Sequence, residues 1–179
     1  RRVQMVFQDP YQSLNPKRTV GQQVTEGLVI NRIGRGVERI EQAVRAMAAA
    51  GLSPADRYWD RYPHELSGGQ RQRVVIASAM ALEPEALICD EPVSALDVSV
   101  RAQVLQTLAD LRRDRGLSML FITHDVGLAW ALCDRVAVMY LGRIVEQGAT
   151  EDVLVRPRHP YTRALLSVVP TPQRRAAAR

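Results

Sequence analysis

Ala86-Leu87-Ile88-Cys89-Asp90-Glu91 is an unbroken apolar run that stops on two adjacent carboxylates, with Pro92 next. Continuous apolar runs of this length, as opposed to alternating ones, are the pattern of strands in a parallel sheet covered on both faces. In such sheets ligands bind in the crevice outside the carboxyl ends of the strands, which is where this run places its acids. A carboxylate there can hold magnesium, usually through water, and a second can orient and deprotonate an attacking water. Taken alone, the same pair also fits a solvated acidic turn.

Working outward, Met119 to Thr123 is a second run of the same kind and ends in Thr123-His124-Asp125. The segment between the two runs is amphipathic, with Val100, Val104, Leu108 and Leu111 on one face and Gly116 placed to end the helix. Strand, helix and strand make one crossover unit. Upstream, Val3 to Phe7 predicts a third strand end, followed at once by Gln8 and a turn-rich loop from Asp9 to Pro16. From Thr19 to about Leu52 the pattern is helical, with Val37, Ile40, Val44 and Met47 expected on the core face and Gly51 as terminator. A further helix is expected from Gly69 to Leu82, with Val74, Val75, Ser78 and Leu82 on one side and Arg71 and Arg73 pointing elsewhere. Downstream, Arg135 to Tyr140 and Arg143 to Glu146 predict a strand pair joined at Gly142. Short helices near Glu151 to Val155 and Tyr161 to Val168 follow, with a disordered tail after Pro172.

Leu66-Ser67-Gly68-Gly69-Gln70 opens the Gly69 to Leu82 helix. Adjacent glycines let backbone approach a ligand, and the first N–H groups of a helix are unpaired donors with partial positive charge. The serine hydroxyl adds a donor at the same end. In isolation these residues equally fit a plain helix cap followed by a turn.

Composition narrows the classes. The chain has 179 residues, 46% of them hydrophobic, enough for one substantial core. It has no long uninterrupted apolar stretch and no signal-peptide pattern at its start, so a cytoplasmic location is the expectation. The net charge of +5 is spread along the chain without forming a basic stripe, which points away from nucleic acid. Cys89 and Cys133 lack metal-ligand spacing and read as small buried hydrophobes.

The order Gln8, Leu66 to Gln70, Asp90-Glu91, Ser94 to Asp97, His124 resembles the ABC ATPases. That resemblance implies an α/β fold: a RecA-like P-loop NTPase core, incomplete because it lacks the Walker A region, with an inserted α-helical subdomain. The implied division is 1–10 for the end of a core strand and the Q-loop, 11–82 for the helical subdomain with the signature, 83–149 for the core with Walker B, D-loop and switch histidine, and 150–179 for a C-terminal element and tail. It assigns Glu91 and His124 as catalytic, Asp90 and Gln8 to magnesium, and Gln8, Ser67, Gly68, Gly69, Gln70 and Asp97 to ATP. Ser67, Gly68 and Gly69 would serve the nucleotide of a second ATPase subunit. Gln8, Asp90, Glu91 and His124 would serve the chain's own, converging on one crevice.

Asp9-Pro10-Tyr11-Gln12-Ser13-Leu14-Asn15-Pro16 and His159-Pro160-Tyr161-Thr162-Arg163-Ala164-Leu165-Leu166 are similar to elements of dipeptide and oligopeptide importers. The resemblance implies permease subunits as partners, a substrate-binding protein at one remove, and a place on the cytoplasmic face of the membrane. A non-catalytic partner module and a soluble, non-transport ABC ATPase are the alternatives. A phosphate loop needs Gly-Lys followed by Ser or Thr, whereas Lys17, the only lysine, follows Pro16. A missing N-terminal region is therefore expected, and these residues alone are expected to be inactive and poorly stable.

Overall fold

The computed structural model describes residues 2–168; the tail expected to be disordered lies outside them. The chain forms two compact units that divide between Ile122 and Thr123. No helix among the described residues is long and apolar enough to cross a membrane.

The first unit contains a parallel sheet of β1 (Val3–Val6), β2 (Ala86–Asp90) and β3 (Ser118–Ile122), in that order. Val6 lies opposite Cys89 and Asp90 opposite Ile122, so the carboxyl ends of all three strands are level. Side chains alternate between faces. Val6, Leu87 and Cys89 are fully buried on one face, and burial pushes the Cys89 thiol up to about 12. On the other face Val3, Leu120 and Ile122 are exposed. The apolar runs thus predicted burial on both faces, and only one is covered among the described residues.

The helices of this unit are α1 (Pro10–Ser13), α2 (Val20–Ile30), α3 (Val37–Ala49), α4 (Asp56–Trp59), α5 (Gly68–Met80) and α6 (Val98–Arg115). The segment expected to be helical from Thr19 to Leu52 is two helices, because Gly34 and Gly36 take positive φ and break the ladder between them. Thr19 starts α2 with a capping box to Gln22. Val20, Val24 and Leu28 of α2 pack with Met47 of α3 and the apolar side chains of α5. On α3 the buried residues are Ala43, Ala46 and Met47, while Val37, Ile40 and Val44 are exposed. The apolar spacing was real, but the small alanine face is the one that permits close approach to α2 and α5.

Helix α5 is central, and its burial is nearly all round, from Gly69 through Met80. Arg71, expected away from the Val74 side, is nevertheless only 8% exposed. Its Nε donates to the Pro63 carbonyl at 2.6 Å. Arg73 donates to the Ala50 carbonyl and the Thr107 hydroxyl, tying α5 to the end of α3 and to α6. Gly116 ends α6 at φ 61, as its position predicted.

The second unit contains α7 (Val126–Leu132), which the sequence reading missed, and an antiparallel pair, β4 (Arg135–Tyr140) and β5 (Arg143–Ala149). Leu141 and Gly142, both at positive φ, make the two-residue turn between the strands. The short helices α8 (Thr150–Val155) and α9 (Pro160–Ser167) follow. The Glu146 carboxylate accepts the N–H groups of Arg158 and His159 at 2.8 and 3.0 Å, which fastens the start of the His159-Pro160-Tyr161 element to β5. Cys133 is half-buried rather than buried.

Candidate functional site

Counting two residues past the last pair of the β1–β2 ladder puts Gln8 opposite Glu91. Gln8 Nε2 donates to Glu91 Oε2 at 3.2 Å. Two residues far apart in sequence therefore meet because the strands that carry them are parallel and in register. Asp90 ends β2 beside them, half-buried and paired in the ladder with Ile122.

Glu91 leaves the strand at φ 43, a left-handed conformation that costs a non-glycine residue energy and persists only when its surroundings hold it. Three backbone interactions do so. Its N–H donates to the Ile122 carbonyl at 2.9 Å, and its own carbonyl accepts the N–H and hydroxyl of Ser94 at 3.2 and 3.1 Å. The turn fixes the direction in which the carboxylate leaves the sheet edge. Sequence reading placed Ser94 in the loop after β2 without this role; a serine three residues beyond the second acid is the signal that could have suggested it.

Ser67 is the N-cap of α5. Its hydroxyl accepts the Gln70 N–H at 3.3 Å, and the Gln70 side chain accepts the Ser67 N–H at 3.0 Å. This capping box leaves the N–H groups of Gly68 and Gly69 without an acceptor among the described residues. Ser67 is exposed, so the helix start opens to solvent. The cap and the anion-site readings are thus compatible: the same serine satisfies one donor and leaves two more unbonded, on a half-buried Gly68 and a buried Gly69.

The two glycines are not equivalent. A Cβ at Gly68 would make ordinary contact with Leu96 at 3.4 Å, whereas one at Gly69 would collide with Val100 Cγ1. Gly69 is thus required by the packing of α6 against α5, and Gly68 is not. Asp97 caps α6, accepting the Val100 N–H at 3.0 Å and the Ser99 hydroxyl at 2.8 Å; these bonds hold its carboxyl below the usual carboxylate range. The signature start and the Ser94-to-Asp97 turn therefore form one packed piece.

The structure brings together Gln8, Asp90 and Glu91, and separately Ser67 to Gln70 with Leu96 and Val100. His124 belongs to the second unit, where it is exposed in the turn that opens α7. That turn is set by Asp125, which caps α7 through the N–H groups of Gly127 and Leu128 and donates its own N–H to the Thr123 hydroxyl. For a cation, Gln8 uses its amide nitrogen toward Glu91, which leaves its amide oxygen and the Asp90 carboxylate as hard oxygen donors. No cluster of three His, Cys, Asp or Glu side chains suited to a metal occurs among the described residues. A magnesium ion that keeps its waters needs only one or two protein oxygens, so the donor set fits one.

Comparison with known proteins extends the picture. Residues 1–94 match the family described as ABC transporter, and residues 145–179 match the oligopeptide/dipeptide transporter C-terminal region. A Brucella ovis protein provisionally named a peptide import ATP-binding protein is 54% identical over 172 residues, which is 96% of this chain and 54% of the relative. The dipeptide transport ATP-binding protein DppF of Escherichia coli is 52% identical over 170 residues, 95% of this chain and 50% of the relative. The chain thus spans about half the length of the curated relatives it matches. Among solved structures, cbiO1 from Clostridium perfringens, part of an ABC transporter complex, superposes with TM-score 0.76 at 28% identity, covering 98% of this chain and 67% of that one. The ATP-binding cassette MJ0796, solved as a dimer with ADP and Pi, gives TM-score 0.71 at 30% identity, covering 83% and 63%. With more than half of its residues matched, this chain belongs to the ABC transporter family and carries the C-terminal region of the oligopeptide and dipeptide transporters.

Proposed function

We propose that the protein is the ATP-hydrolysing subunit that powers a peptide importer, working as a dimer with ATP held between subunits at the cytoplasmic face of the membrane. The observation that carries this reading is the Gln8–Glu91 hydrogen bond at the level ends of β1 and β2. It sets a carboxylate and an amide side by side where a parallel sheet presents its ligands.

In this reading Glu91 is the general base. Its backbone turn sets where the carboxylate stands at the sheet edge, and the Gln8 amide helps to hold the orientation in which it meets the attacking water. Asp90 and the Gln8 amide oxygen would hold magnesium, which supplies charge neutralisation to the phosphate oxygens. His124 is assigned as the switch histidine on its match to the family pattern. Ser67 and the free N–H groups of Gly68 and Gly69 would close on the γ-phosphate of ATP bound to the second subunit. These 179 residues hold no Gly-Lys-Ser or Gly-Lys-Thr loop, so the phosphate cradle is assigned to the whole protein and these residues alone are expected to be inactive. The four-part division of the chain into strand end with Q-loop, helical subdomain, core and C-terminal element belongs to the same reading.

The helical region around residues 11 to 60 is the surface assigned to the permease subunits, through a coupling helix of theirs. Peptide selection belongs to those subunits and to a substrate-binding protein. In the full-length protein, Glu91→Gln is expected to cut magnesium-dependent turnover by about 100-fold or more while ATP binding survives. Unaltered turnover in that variant would remove Glu91 as the base.

A further inference from the structure

Arg71 sits four residues past the cap of α5, near the helix end whose dipole disfavours a cation, and it is almost entirely buried. No carboxylate lies within ion-pair distance of it among the described residues. Two neutral groups compensate it: the Pro63 carbonyl, 2.6 Å from Nε, and the ring of Tyr11, whose centroid is 4.1 Å from the guanidinium carbon. A position that costs this much is kept for what it connects.

Tyr11 lies in α1, three residues after Gln8. Asp9, between them, caps α1 by accepting the Tyr11 N–H at 2.8 Å, and its carbonyl accepts from both the N–H and the hydroxyl of Ser13. Gln8 and Tyr11 are thus the two ends of one short braced segment. Tyr11 is 67% exposed, so the core does not hold its ring; the guanidinium does. At the other side, Arg71 shares its turn with Gly69 and Gln70.

We propose that the Tyr11–Arg71 stack is a positioning link between the two halves of the site, passing a displacement of Gln8, which senses the chain's own nucleotide, to the start of α5, which serves the neighbour's. Neither residue touches substrate. Each acts through the residue beside it. The inference rests on the reading of α5 as the neighbour's phosphate site and adds the element that makes the two sites report to each other.

The test uses full-length protein with Tyr11→Leu and Tyr11→Phe. Tyr11→Leu keeps apolar bulk at an exposed position but removes the π face; Tyr11→Phe keeps that face. The link predicts that Tyr11→Leu melts with the unsubstituted protein, holds its ATP KM, and loses about fivefold in kcat, with Tyr11→Phe restoring turnover. Amide hydrogen exchange over residues 66–72 should rise in Tyr11→Leu and return to normal in Tyr11→Phe. Normal turnover and normal exchange in Tyr11→Leu, or equal loss in both variants, would overturn the link. Absence of magnesium-dependent turnover in the unsubstituted protein would instead remove the ATPase reading, and the exchange comparison alone would then decide the link.

Discussion

Gln8 and Glu91, 83 residues apart in the chain, are joined side chain to side chain at 3.2 Å because β1 and β2 run parallel with Val6 against Cys89. Gln8→Ala removes one of the contacts that orient the carboxylate. Turnover in the full-length protein is expected to fall by about tenfold, the order set by one hydrogen bond to a charged group. Gln8→Glu, which puts a second carboxylate against Glu91, should be worse than Gln8→Ala. Steady-state ATPase assays of the two variants rank them, and the reverse ranking would mean that the contact does not orient Glu91.

Gly69→Ala tests the close approach of α5 and α6. The added Cβ meets Val100, and overpacking of this kind costs about 1–3 kcal/mol. Val100→Ala removes the colliding methyl groups, so the double variant should melt above Gly69→Ala alone. Additive losses in thermal denaturation would show that Val100 is not what demands the glycine.

The sheet face carrying Val3, Leu120 and Ile122 is exposed. Residues 1–179 expressed by themselves are therefore expected to bind a hydrophobic dye such as ANS and to melt early and broadly. A cooperative, high-temperature transition without dye binding would contradict this.

The Thr162 hydroxyl, the backbone N–H groups of Arg158 and His159 and the charge of His159 hold the Glu146 carboxyl below its ordinary range, against a smaller opposing effect of burial. A carboxyl whose value is lowered by folding stabilises the fold above its unfolded value of about 4 and loses that contribution as pH falls through the lowered one. The Tyr140–Tyr161 ring pair, 4.2 Å between centroids, supplies a local near-ultraviolet dichroism signal. That signal should fade in acid below the ordinary glutamate range, and in Glu146→Gln the acid step should vanish. An unchanged step would assign it to another group.

What the sequence disclosed and what it hid divide along physical lines. Ala86 to Glu91 and Met119 to Thr123 were legible because a strand run ending in polar residues is a local pattern, and their shared level followed from parallel pairing. The capping box at Ser67 was legible for the same reason. Arg71 was not, because its burial depends on a carbonyl eight residues back and a ring sixty residues back, neither of which alters local periodicity. The outward stripe of Val37, Ile40 and Val44 was misread because spacing reports that a face exists, not which neighbour it meets. The φ of Glu91 and the grip of Ser94 are tertiary consequences that no window of sequence contains.

The central claim is that one chain's α5 start completes the site built on the other chain's Gln8, Asp90 and Glu91. Two full-length variants test it, Gly68→Asp, which sets a negative charge against the phosphate where a side chain fits, and Glu91→Gln. Each homodimer should be inactive. Mixed dimers contain one site pairing an intact Glu91 with an intact Gly68, so ATP turnover is expected to reappear when the two inactive proteins are co-assembled. Mixed dimers as inactive as their parents would show that each chain's signature serves its own nucleotide, and the account would fail.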